Sequence, residues 1–163
     1  MNPAELLSDV LTRSGKMLND TLADFSDADM LVRPCPGANH ATWQLGHLTV
    51  AEGGLLNMVG EGLVQGPPAE FAAKFSKETA SKDDAGFFPK KAAVLEQFNK
   101  INAAVAAWAK TLKPEDLAKP TKGRMVDFAP TTGHVIALLS NHNMMHIGQF
   151  QVIRRKLGKP ILF

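Results

Sequence analysis

Three features of this 163-residue chain predict an all-α protein, a four-helix bundle with a long connection between helices 2 and 3. Apolar residues recur at steps of three and four along four separate stretches, which marks one buried face on each of four helices. Strand-type alternation never persists beyond a few residues, and no internal repeat is present. The longest aperiodic interval, Glu61 to Phe88, falls between the second and third helical stretches. The chain reads as a single domain, residues 1–163, long enough to bury about two-thirds of the surface its unfolded form exposes.

The first helix opens at Asn2 as N-cap, with Pro3 at the first helical position and Glu5 where a negative charge suits the dipole. Its apolar stripe is Leu6, Leu7, Val10, Leu11, Met17, Leu18, Leu22 and Phe25. Ser26 with Asp29 suggests a short helical turn before Arg33-Pro34-Cys35-Pro36-Gly37, where two prolines and a glycine end helical structure. A second helix starts near Asn39 to Thr42 and runs to about Gly60, carrying Trp43, Leu45, His47, Leu48, Leu55 and Leu56. Gly53 and Gly54 lie inside it, each at a cost of about 1 kcal/mol relative to alanine. The pair implies close helix packing, or else space left for a ligand.

From Glu61 to Phe88 the pattern breaks, with Gly62, Gly66, Pro67 and Pro68 at one end and the polar run Ser76 to Asp84 at the other; a short helix is possible around Ala69 to Phe75. Connections of this length are often functional loops or lids. The third helix opens at Pro89, repeats through Val94, Leu95, Phe98, Ile101, Val105, Trp108 and Leu112, and stops at Pro114. Leu117 to Pro130 is a loop. Thr131 or Thr132 caps the fourth helix, which ends with Arg154, Arg155 and Lys156 before Gly158 and Pro160.

Composition narrows the class of function. Hydrophobic content of 45% with 21% charged residues is that of a folded globular protein. A net charge of +2 implies no nucleic-acid partner. The basic trio Arg154 to Lys156 reads as dipole complementation on a solvated face. One cysteine, Cys35, excludes an intramolecular disulfide, and no signal segment precedes the first helix, so a cytoplasmic location is expected. No apolar run approaches the ~18 to 20 residues of a membrane span.

The chemistry concentrates on the fourth helix, where His142 and His146 stand four residues apart on one face and can point at one metal ion. Bundle metal sites are built from facing helices, and His47 on the second helix is the candidate third ligand. Three neutral imidazoles leave one or more positions open for water or substrate, a catalytic rather than a closed structural arrangement. All-nitrogen ligation suits zinc, nickel, copper or ferrous iron. Spacing by itself leaves equally open that these are hydrogen-bonded core histidines with no metal. His134, two turns before His142, is placed at the pocket's edge or as a first-turn surface residue, and His40 as a residue just ahead of the second helix. Gln149 can brace a ligand from outside the first shell. Glu52, five residues beyond His47, is turned away from the ligand face.

Trp43-Gln44-Leu45-Gly46-His47-Leu48, with Phe128-Ala129-Pro130-Thr131 leading into Asn141-His142-Asn143-Met144-Met145-His146-Ile147-Gly148-Gln149, resembles the DinB-like superfamily of metal-binding four-helix-bundle proteins. The resemblance runs over nearly the whole chain, to Leu157-Gly158-Lys159-Pro160. It implies a divalent metal on His47, His142 and His146, zinc ahead of nickel or iron, and a homodimer, to which the apolar Ile161-Leu162-Phe163 tail also points. It further implies a thiol S-transferase that joins a low-molecular-weight thiol to a small-molecule substrate, since such a metal lowers the pKa of a water or thiol. Lys122 and Arg124 are the candidates to hold an anionic thiol. The alternatives are a metal-dependent hydrolase and a non-catalytic metal-binding module for stress response or interaction.

Overall fold

The computed structural model describes residues 1–123 and 126–162. Four long helices carry the fold, α1 (Pro3–Leu22), α2 (Ala41–Leu56), α4 (Lys91–Lys110) and α6 (Thr132–Lys156), with two short ones, α3 (Ala69–Ala73) and α5 (Pro114–Leu117), in the connections. No strand forms among the described residues; Pro120 and Thr131 make one isolated bridge. None of these helices is long and apolar enough to cross a membrane.

The first two long helices start where a local side chain satisfies a free amide, whereas Thr131 stands at the N-cap position of α6 without the expected side-chain capping bond. Asn2 Oδ1 accepts from Glu5 N–H at 2.9 Å, and the Glu5 carboxylate accepts from Asn2 N–H at the same distance. His40 caps α2: its Nδ1 accepts from Trp43 N–H (3.1 Å), so the proton lies on Nε2, which donates to Lys82 O at 3.1 Å. This histidine is fully buried and structural. The predicted turn after α1 is also present, with Ser26 and Asp29 capping each other around Asp29–Leu31.

Side-chain pairings fix the helix directions. Leu7 meets Gly133, Ser14 meets Asn143 and Thr21 meets Arg154, so α1 and α6 run parallel. Ser8 Oγ donates to Ala106 O and Asn19 bonds Asn99, so α4 runs against α1. Gln44 faces His146 while Leu55 and Leu138 line one cavity, so α2 runs against α6. It follows that α2 and α4 are parallel. A chain leaving α2, 16 residues or about 24 Å long, must return along the bundle before α4 can begin. The length of the 57–90 connection, expected on its length to mark a functional loop, has this topological cause.

That crossover is pinned by packing. Phe71, Phe75 and Phe88 are buried in the core, and a Cβ on Gly46 would come within 2.2 Å of the Phe75 ring. Glycine is therefore required at position 46. The close approach expected of Gly53 and Gly54 is only ordinary contact at Gly53, 3.5 Å from Gly66, and Gly54 faces open space.

Two apolar clusters form the core, one around Leu18, Leu45, Phe98 and Phe150, the other around Leu11, Leu56, Ile101 and Leu139. Ser14, Glu52, Asn102 and Asn143 are buried as well, one from each long helix. The α1 stripe is accordingly narrower than its periodicity suggests: Leu6 and Val10 are exposed, and Ser8, Ser14 and Gly15 turn inward. A Cβ on Gly15 would stand 2.5 Å from Asn102 Oδ1, which shows how closely α1 and α4 approach there.

The basic trio at the end of α6 needs correction. Arg154 is 1% exposed, not solvated. It donates to Thr21 O (2.9 Å), Pro160 O (2.8 Å) and the Asp24 carboxylate, and so ties the ends of α1 and α6 to the C-terminal segment. Dipole complementation remains apt for Arg155 and Lys156, which stay exposed.

Candidate metal centre

On α6, His142 and His146 lie one turn apart with ring centroids separated by 4.9 Å. The antiparallel α2 brings His47 to within 5.2 Å of the first ring and 5.6 Å of the second. One nitrogen from each histidine lies within 4.8 Å of the other two, a grouping that can hold a metal ion.

Electrostatics keeps these nitrogens free of protons. Burial pushes His142 down to about 4 and His146 to about 3, with repulsion from the neighbouring imidazoles adding to the effect. His47 is lowered by burial and by the positive charge of Lys77. Three neutral rings thus converge their lone pairs at neutral pH. His142 Nδ1 is buried and has no hydrogen-bond partner, a state that costs about 1–3 kcal/mol unless something binds. Unprotonated nitrogen donors with an unpartnered buried atom fit a divalent cation of the borderline type.

The supporting contacts come from the residues just before His47. Gln44 Nε2 donates to Asn39 O at 2.6 Å, which turns Gln44 Oε1 toward His146 Nδ1, 2.8 Å away. An oxygen there can only accept, so Nδ1 carries the proton and Nε2 is left as the donor atom for a metal. Trp43, one turn before His47, stacks on its ring at 5.1 Å and 5°, and its Nε1–H donates to Thr79 Oγ1 of the crossover. Neither Trp43 nor Gln44 was assigned a role from sequence. The signal was available: at i−4 and i−3 both lie on the His47 side of α2. Replacing Gln44 with leucine leaves the His146 N–H unpaired, and is expected to weaken metal affinity by about 10- to 100-fold, read by competition with a chromophoric chelator.

The other predicted residues fall elsewhere. Gln149 is half-buried and makes no hydrogen bond to the three histidines among the described residues. His134 is exposed in the first turn of α6, its Nδ1 2.8 Å from Thr131 Oγ1. Lys122 is exposed, its N–H donating to Met58 O beyond the end of α2. Arg124 lies outside the described residues. Glu52 is buried in the bundle interior, bonded to Asn102 of α4 and not grouped with the three histidines.

The cluster has a closed side and an open side. His146 is buried, whereas His47 and His142 border a cavity of about 460 Å³ between α2 and α6. Ala51 and Leu55 line it from α2, Leu138, Asn141 and Met145 from α6, and Phe128 from the loop before α6. The lining therefore comes from α2, α6 and the loop leading into α6, and among the described residues none of the Glu61 to Phe88 connection joins it.

The family model of the DinB superfamily matches residues 11–150. Among solved structures, YfiT from Bacillus subtilis, described as "a probable metal-dependent hydrolase with an unusual four-helix bundle topology", is similar with a TM-score of 0.69 and 14% identity, over 96% of this chain and 89% of that one. A conserved protein from Enterococcus faecalis is similar with a TM-score of 0.69 and 18% identity, over 98% of this chain and 99% of that one. At these identities the likeness establishes the fold. No curated protein matches the chain.

Proposed function

We propose that this chain, which belongs to the DinB superfamily, is a divalent-metal-dependent enzyme acting on a small molecule, with His47, His142 and His146 as its metal ligands. The observation that carries this reading is the convergence of three neutral imidazoles, two of which line a cavity. A metal bound there supplies Lewis acidity that brings the pKa of a water or thiol toward neutrality. Zinc suits the donor set best.

The chain's own residues do the rest. Gln44 fixes the tautomer and plane of His146, Trp43 fixes the plane of His47, and apolar walls bound the space beside the reacting centre. Transfer of a low-molecular-weight thiol to an electrophile is the first reading. Hydrolysis is the second, favoured because no cationic side chain to grip an anionic thiol lines the cavity among the described residues, and because the structural relative YfiT carries that description. A homodimer is part of the proposal, with Ile161 and Leu162 exposed on the monomer.

Zinc-loaded protein with cysteamine and 1-chloro-2,4-dinitrobenzene tests the first reading. The expected product is the thioether, with chloride released and the rate abolished by chelation. Thiol-independent hydrolysis of 4-nitrophenyl butyrate, without thioether, selects the second. Blank assays with a metal-raised melting temperature select the non-catalytic module.

A further inference from the structure

The cavity beside the histidines has a chemistry of its own. On α2 the lining residues His47, Ala51 and Leu55 recur every four positions, and on α6 Leu138, His142 and Met145 share one face. Two helical ridges therefore bound a groove with imidazoles at one end and aliphatic side chains at the other. Leu55 lies eight residues beyond His47, so the groove runs about 12 Å away from the cluster. Two of the lining residues are large, apolar and exposed, Phe128 at 73% and Met145 at 56%. Such exposure of large apolar groups at a concave site marks a binding surface.

Polar recognition is sparse. Among the described residues that line the groove, Asn141 is the one uncharged amide, and none carries an acidic or basic side chain. Lys77, whose charge reaches His47, belongs to the crossover and is not part of this lining. A charged tail would surrender its hydration here without a counter-charge, whereas each methylene laid along Leu55 and Leu138 gains transfer free energy.

Building on the metal-centre reading above, we infer that the substrate is an uncharged molecule with an apolar chain or ring, held along the α2–α6 groove with its single polar reactive group at the histidine end. The groove thus selects by hydrophobic length, and the histidine cluster by the polar head.

A series of straight-chain hydroxamates, from aceto- to octanohydroxamate, titrated calorimetrically into zinc-loaded protein tests this. Affinity is expected to rise about fourfold per methylene until the groove is filled. Adipic monohydroxamate, which ends in a carboxylate, is expected to bind no tighter than acetohydroxamate. Phe128→Glu, on an exposed side chain, is expected to flatten the series while the zinc stoichiometry stays at that of the wild type. A flat wild-type series, or tighter binding of the carboxylated tail, overturns the inference.

The neutral fluorophore N-phenyl-1-naphthylamine separates this from the metal reading. It is expected to bind metal-free protein and to be lost in Phe128→Glu. Fluorophore binding in a chain that takes up no zinc sinks the metal centre and leaves the groove; zinc uptake without fluorophore binding or chain-length dependence sinks the groove and leaves the metal centre.

Discussion

His142→Ala is expected to abolish stoichiometric metal binding while leaving the metal-free fold intact. His142 makes none of the hydrogen bonds that hold the bundle together, and its buried Nδ1 has no partner. Deleting the ring therefore costs the apoprotein little, within about 1 kcal/mol. The metal-loaded protein is different. A ligand present at 1,000 times its dissociation constant stabilises the folded state by about 4 kcal/mol, and the variant forfeits that gain with its third ligand. Metal analysis together with melting curves before and after chelation checks this. Wild-type and variant curves that coincide after chelation and separate in zinc are the expected result. Retention of one zinc per chain by the variant overturns the ligand assignment. Catalytic turnover, under the proposed function, falls with the metal.

The second large effect concerns Glu52, which its spacing from His47 turns away from the ligand face. It is 1% exposed and receives Asn102 Nδ2–H on Oε1 at 2.8 Å, with Asn143 beside the same carboxyl. Burial pushes its pKa from 4.5 up to about 7, outweighing the hydrogen bonds from Asn102 and Asn143 that lower it. Glu52 Oε2 is buried without a donor to satisfy it, which a neutral carboxyl tolerates better than a carboxylate. The folded-state pKa lies above the unfolded one, so the native state holds the extra proton. Its stabilising contribution is complete below pH 4.5, falls between 4.5 and about 7, and is absent above.

Glu52→Gln removes that titration while keeping one acceptor and one donor in the same places. The gap between 4.5 and about 7 corresponds to roughly 3 kcal/mol. In metal-free protein the variant should match the wild type near pH 4.5 and exceed it by about 3 kcal/mol at pH 8, measured by urea unfolding. The three cluster histidines run the other way. Their pKa values are depressed, so their contribution is present above about 6.5 and lost as the pH falls. Because they are common to both proteins, they cancel in the difference. A difference that does not vary with pH overturns the neutral assignment of Glu52.

Periodicity located all four long helices within a few residues, because a helix face is a local property readable at steps of three and four. The His142 and His146 pair was legible for the same reason. The sequence even offered His47, through its place in the Trp43 to Leu48 segment. Spacing puts Gln44 and Trp43 on the His47 side of α2, but what they touch, and the true place of Arg154, depend on groups 102, 36 and 130 positions away in the chain.

What the sequence alone determined, then, is the set of helices and which residues share a face on each, since 3.6 residues per turn follows from the backbone itself. Only the tertiary structure decided that α2 faces α6 in antiparallel register. That one relation brings His47 to the α6 pair, turns Gln44 onto His146, and leaves an apolar groove rather than solvent beside the cluster. The relation arises from packing between distant segments and the crossover that permits it, and no spacing within a single helix encodes either.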